Sequence, residues 1–431
     1  MKRNAIKHLI EWKNKAKRKP LIVSGARQVG KTWLIKEFGK TEYEQIAYIN
    51  FEESSTLRML FVQDFDINRI LTAIQLETGI RVVARNTLIV FDEIQEAERG
   101  LTALKYFYEN ASEYHVIAAG SLLGVELHKS TSFPVGKVSF LNLYPLDFSE
   151  FMIAKGEQQL LDLLDSRDWQ TIKTFKHKYI ELLKQYYYVG GMPEVVSSFV
   201  ENNDFNEVRV LQSEILNSFE RDFSKHAPNE VVPRIRMLWN SIPAQLAKEN
   251  KKFIYGLVKK GARAKEYELA LSWLTDCGLV YKIERISKPG IPLKGYADNS
   301  AFKLFVVDLG LLCAMGQIDA ATLLNGNNIF EEFKGALTEQ YVLQQIIINH
   351  EKSLFYWSAE GGTAEIDFVV QHLGKVIPIE VKSNENLQAK SFKVYCRKYL
   401  PETAIRTSMS DFRKEDWFVN VPLYAIGKHF H

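Results

Sequence analysis

The chain has 431 residues, 46% hydrophobic and 25% charged, with a net charge of +3; at about 100–200 residues per domain this is a globular composition spread over two to four domains. It excludes disordered, collagen-like and mucin-like chains, and no apolar run approaches the ~18 residues that a membrane span requires. Three scattered cysteines (Cys277, Cys313, Cys396) without metal-ligand spacing, and no apolar stretch after Lys2 and Arg3, argue against a disulfide framework, a zinc site and a secretory signal, so the cytoplasm is the expected location.

Residues 1–20 carry eight Lys/Arg against one acid, Glu11, and a second basic stretch runs from Lys248 to Lys265. Such runs either bind phosphate backbones or form solvated helix faces. From 1 to 150, the runs Leu21-Ile22-Val23, Ile46-Ala47-Tyr48-Ile49, Leu88-Ile89-Val90-Phe91 and Val116-Ile117-Ala118-Ala119 alternate with amphipathic stretches. Continuous apolar runs suit strands buried on both faces of a parallel sheet, so this part reads as α/β. Residues 151–225 show helical periodicity, broken by a loop at Gly190-Gly191-Met192-Pro193. Residues 226–325 read as helices, with Gly278 as a C-cap, followed by strands from Leu279. A helix leading into a two-stranded wing predicts a winged-helix-like module. Asn325-Gly326-Asn327-Asn328 reads as a linker, and 326–431 as a helix from Phe333 to Ile348 followed by alternating strands. The expected domains are therefore 1–150, 151–225, 226–325 and 326–431.

Gly25-Ala26-Arg27-Gln28-Val29-Gly30-Lys31-Thr32 fits GxxxxGK[ST] without a mismatch, between an apolar run and the helical stretch Trp33–Phe38. Glycines let backbone N–H groups wrap phosphates, and the loop ends at a helix N-terminus, where the dipole favours an anion. Lys31 supplies a point charge to the β- and γ-phosphates, and Thr32 an oxygen for Mg²⁺. Asp92, ending an apolar strand, is the second Mg²⁺ residue, and Glu93 is placed to polarise the attacking water. Ser121, after Val116–Gly120, either senses the γ-phosphate or caps a helix. ATP and Mg²⁺ are the implied ligands and ATP hydrolysis the implied activity.

These residues resemble the AAA superfamily of P-loop ATPases. With Phe91-Asp92-Glu93-Ile94-Gln95, Leu143-Tyr144-Pro145-Leu146-Asp147-Phe148-Ser149-Glu150-Phe151 and Gly190-Gly191-Met192-Pro193-Glu194, the chain is similar to a bacterial and archaeal ATP-binding group. Members of that group carry a C-terminal domain of unknown function that resembles restriction-endonuclease folds. Relatives usually show Arg where this chain has Lys137, so no arginine finger is assigned, and Arg27 and Arg99 stay open. Gly190–Pro193 has no derivable chemical role. The superfamily's rings leave a homo-oligomer open.

Near the C-terminus, Glu365–Val370 and Val376–Ser383 flank the turn His372-Leu373-Gly374-Lys375. A hairpin centred between Leu373 and Gly374 sets Asp367 opposite Glu380 and Glu365 opposite Lys382, all on one face. Opposed carboxylates repel at a Cβ separation of about 4.5–5.5 Å. A hard divalent cation held by Asp367 and Glu380 would relieve this, with Lys382 orienting or deprotonating a metal-bound water for attack on a phosphodiester. This matches the acid…Glu-x-Lys pattern of restriction-endonuclease-like nucleases, and in that comparison Glu339 resembles a further acidic metal ligand. A Glu365–Lys382 ion pair with Asp367 exposed is the simpler alternative. The expected function is a Mg²⁺-dependent ATPase whose nuclease-like domain binds or cuts DNA. The alternatives are a nucleotide-operated switch that uses an inactive nuclease-like fold as a partner platform, and an ATPase acting on protein.

Overall fold

A computed structural model describes residues 1–54, 56–121, 123–124, 134–248, 251–325, 331–350, 353–360, 364–383 and 390–429. The chain forms two compact units. One comprises Lys2–Tyr144 with Asp276–Leu279, and the other Met1, Pro145–Thr275 and Val280–His431.

The smaller unit holds a five-stranded sheet in the order β2-β3-β4-β1-β5. The strands are β1 (Leu21–Ser24), β2 (Gln45–Asn50), β3 (Thr87–Asp92), β4 (His115–Ala119) and β5 (Ser139–Asn142). Every pairing is parallel. β3 and β4 are buried throughout, as their uninterrupted apolar runs predict for strands covered on both faces. One side of the core gathers Phe51, Phe61, Phe91 and Phe107. β5 lies at an edge of the sheet and has no apolar run: only Leu141 is buried.

The larger unit combines helices with an eight-stranded mixed sheet, β12-β13-β11-β10-β9-β8-β6-β7. Its strands are β6 (Val280–Ile286), β7 (Ala297–Val306), β8 (Leu354–Ser358), β9 (Glu365–His372), β10 (Lys375–Val381), β11 (Ile405–Ser408), β12 (Arg413–Lys414) and β13 (Val419–Pro422). The helix Ala264–Asp276 does lead into the β6/β7 hairpin, but β6 also pairs in parallel with β8. The hairpin is therefore not a free wing: the sheet continues through the boundary expected at 326. Of the expected linker, Gly326–Asn328 lies outside the described residues, and Asn325 ends the helix Ala320–Asn325. The helix expected at 333–348 spans Glu331–His350.

The Gly190-Gly191 segment has a structural role. Asp308 caps the helix Leu309–Met315 through the Leu311 N–H (3.1 Å), and its other oxygen accepts from the Gly191 N–H (2.7 Å) and from Gln344 (3.3 Å). The Leu146 N–H donates to the Gly191 carbonyl at 2.7 Å, and the Tyr186 hydroxyl to the Leu146 carbonyl at 2.6 Å. A Cβ on Gly190, whose φ is +75°, would lie 2.2 Å from Asp308 Oδ1, and one on Gly191 2.1 Å from the Leu146 carbonyl oxygen. No side chain fits where the Gly190-Gly191 backbone meets the Leu146 carbonyl and the Asp308 carboxylate. Gly191→Ala is expected to lower stability by about 1–3 kcal/mol through overpacking. Gly335→Ala, which meets open space inside a helix, should be neutral or stabilising; chemical denaturation of both variants checks the pair.

Candidate functional site

The sheet order places β4 between β1 and β3, so three strand ends meet at one edge: Gly25 follows β1, Gly120-Ser121 follow β4, and Asp92-Glu93 close β3. In open parallel sheets, ligands bind outside these carboxyl ends. The loop after β1 turns through left-handed residues, Gln28 at φ 64° and Gly30 at φ 89°, before the helix Lys31–Glu42. A Cβ on Gly25 would sit 2.1 Å from the Leu143 carbonyl oxygen, so only glycine lets the loop pass there. Arg3, buried at 7% exposure, braces it from outside, donating to the carbonyls of Val29 (3.0 Å) and Tyr144 (2.6 Å).

Lys31 is also 7% exposed. Its ammonium donates to the carbonyls of Gly25 (2.9 Å) and Ala26 (2.8 Å). Burial pulls its pKa down to about 8, with Glu93 and Asp92 only partly restoring it. The Thr32 hydroxyl donates to Asp92 Oδ2 at 2.8 Å, and the Tyr48 hydroxyl donates to the same oxygen at 2.6 Å. A hydroxyl and a carboxylate in contact beside a glycine-walled loop form a donor set that suits Mg²⁺, which takes few protein oxygens and keeps its waters. The residues thus fit a Mg²⁺–triphosphate.

Glu93 stands at φ 49°, and its carboxylate accepts from Gln95 Nε2 at 2.5 Å. The Gln95 Oε1 is buried and has no hydrogen-bond partner among the described residues, and it occupies the space a Cβ on Gly120 would need, at 2.1 Å. One amide therefore touches both Glu93 and the backbone just before Ser121. Arg27 Nε donates to Ser121 Oγ at 3.2 Å. Arg99 donates to the Val62 carbonyl and lies over the Phe65 ring, and Lys137 pairs with Glu109 at 3.0 Å.

In the larger unit, the hairpin register runs from Lys375↔His372 to Ile379↔Phe368, the pairing its turn predicts. Beyond it the ladder gives way, because Asp367 Oδ2 accepts from the Val381 N–H at 2.8 Å. Glu365 does not face Lys382, as the sequence led us to expect. It pairs with Lys303 of β7 at 2.5 Å, while Lys382 pairs with Glu380 at 2.7 Å. Glu339 pairs with Lys303 at 3.4 Å and with Lys251. Burial would raise the Glu339 carboxyl, but Lys251 and Lys303 outweigh it and hold it at about 2. Burial, then the carboxylates of Glu339 and Glu380, push Asp367 well above the usual range. Among the described residues no group of three His, Cys, Asp or Glu side chains is placed to hold a metal ion.

Sequence reasoning missed Arg3, Tyr48, Gln95, Lys251 and Lys303. Lys303 carried a signal: it is the one charge in Ala301-Phe302-Lys303-Leu304-Phe305-Val306-Val307, and a lysine inside a buried strand demands a buried partner.

Residues 17–152 match a family described as AAA domain. Residues 180–322 and 334–426 match two families each described as a domain of unknown function. No curated protein matches the chain. Among solved structures, the chain is similar to a Walker-type ATPase of Pyrococcus abyssi, with 15% identity over 73% of this chain and 95% of that one (TM-score 0.44). It is also similar to the Orc1 protein of Aeropyrum pernix, solved in complex with DNA, with 11% identity over 73% and 91% (TM-score 0.28). A third similarity is to Cdc6p of Pyrobaculum aerophilum, with 13% identity over 74% and 91% (TM-score 0.24). No helix among the described residues is long and apolar enough to cross a membrane.

The depressed pKa of Lys31 gives a signed expectation. Above about pH 8 the free protein has lost this charge, and an arriving polyphosphate restores it. Nucleotide binding at about pH 8.5 should therefore take up protons, uptake should vanish near about pH 6.5, and affinity should fall as pH rises through 8. Calorimetric titrations in buffers of different ionisation enthalpy measure this; equal heats in all buffers at the higher pH would place Lys31 away from the phosphates.

Proposed function

Taking residues 17–152 as an AAA-type P-loop ATPase domain, we propose that the protein is a Mg²⁺-dependent ATPase that works as a nucleotide-operated switch, its larger unit serving as a platform for a partner. The observation that carries the reading is the Thr32–Asp92 contact at 2.8 Å beside a buried Lys31. In this reading Lys31 exchanges the carbonyls of Gly25 and Ala26 for β- and γ-phosphate oxygens, and Thr32 and Asp92 hold the Mg²⁺, whose charge offsets that of the phosphates. Glu93 orients the attacking water and takes its proton as the bond between the γ-phosphorus and the ADP oxygen breaks, leaving ADP and phosphate. Ser121, held by Arg27, senses the γ-phosphate.

A second reading, in which Asp367, Glu380 and Lys382 cut DNA, is favoured by the electrostatic interaction of the Asp367 and Glu380 carboxylates and by the Lys382–Glu380 pair at 2.7 Å. Supercoiled plasmid left equally intact by wild type and Asp367→Ala, with Mg²⁺ or Mn²⁺ in every nucleotide state, rules it out. DNA binding by the stretch Lys248–Lys265 would show as a steep salt dependence in gel shifts.

Phosphate release tests the ATPase. Glu93→Gln is expected to lower turnover about 100-fold or more while nucleotide affinity holds. Gly120→Ala, whose Cβ drives Gln95 off Glu93, is expected to lower turnover by about 10–100-fold, again without loss of affinity. Unchanged turnover in Glu93→Gln contradicts the assigned role.

A further inference from the structure

The sheet of the larger unit gathers four carboxylates, Glu339, Glu365, Asp367 and Glu380, around three lysines. Lys303 is the central one. Its side chain has no solvent exposure, its ammonium lies 2.5 Å from Glu365 and 3.4 Å from Glu339, and the ring of Tyr356 lies 5.0 Å away. Lys251, with 12% side-chain exposure, closes on the other Glu339 oxygen. Lys382 closes on Glu380, and the Val381 N–H on Asp367.

We infer that the Lys303 ammonium is the resident counter-ion of this face, standing in the role a divalent metal would play, so that the face takes no metal and acts as an electrostatic latch. The latch joins β7 through Lys303 to β9 through Glu365 and to the helix Glu331–His350 through Glu339.

The physical case rests on where each charge could go. A dication held through Glu339 and Glu365 would have to displace Lys303, whose side chain has no solvent exposure in the buried half of its strand. An ammonium left buried without its carboxylates costs more than the pairing returns, and removing one partner of a buried pair is strongly destabilising. Lys251 and Lys382 occupy further oxygens that a metal would need. The arrangement also explains why a charged residue sits in the apolar run of β7, and why β6/β7 is built into the C-terminal sheet. The inference concerns this unit alone, and a chain that never turned over ATP would leave it standing.

The test is Mn²⁺ titration of the nucleotide-free full-length protein, followed by the loss of the free Mn²⁺ paramagnetic resonance signal and by thermal unfolding. Wild type and Asp367→Asn should take up Mn²⁺ identically up to millimolar metal, because any residual uptake belongs to Asp92. Lys303→Ala should unfold at lower temperature, gain a Mn²⁺ site and recover stability with the metal, and adding Glu339→Gln should abolish that gain. Lys303→Met, which keeps the apolar stem, should unfold early without metal rescue, and supplies the stability arm should the alanine variant fail to fold. Saturable Mn²⁺ binding by wild type that Asp367→Asn or Glu339→Gln removes would overturn the inference, as would a Lys303→Met variant as stable as wild type.

Discussion

The phosphate-loop edge of the smaller unit is organised around the buried positive charge of Lys31. Lys31 sits at the head of a helix, nearly excluded from water, and among the described residues it donates to the carbonyls of Gly25 and Ala26. Carbonyl dipoles offset part of the lost hydration of an ammonium, and its depressed pKa of about 8 reports the remainder. A site that keeps a cation at this disadvantage gains most from an anion that replaces the carbonyls. The sheet order, the left-handed turns of the loop and the brace from Arg3 all hold that cation in place.

The larger unit meets the same difficulty with the opposite solution. Three of its carboxylates, Glu339, Glu365 and Glu380, are met by ammoniums of the chain itself, and the fourth, Asp367, by the Val381 N–H. Buried ion pairs of this kind add little net stability against a packed apolar core, but they fix which strands and helices may join. Here the joining matters, since β6 and β8 are far apart in sequence and pair in parallel. Asp308 does the same with neutral partners, linking Gly191, Gln344 and the start of the helix Leu309–Met315.

What the sequence disclosed divides along the range of the interactions. Lys31, Thr32, Asp92 and Glu93 were legible because phosphate chemistry limits which residue types can stand at those spacings. The three inner strands, β1, β3 and β4, were legible because burial on both faces leaves no polar alternation; of the two edge strands, β2 carries an apolar run and β5 does not. The hairpin register was legible because a two-residue turn, with Leu373 at φ 46° and Gly374 at φ 76°, admits one pairing. The choice of ion-pair partner was not: Glu365 selects Lys303 over Lys382 through a fold-level approach of β7 that no local pattern encodes. Gly190-Gly191 reads locally as a loop, and its reason lies in Asp308, 117 residues beyond Gly191.

The most direct measurement of the central claim is equilibrium dialysis of nucleotide with magnesium against the full-length protein and its Lys31→Ala variant. One nucleotide should be retained per wild-type chain and none per variant chain. Retention by neither protein, or equally by both, would contradict that claim.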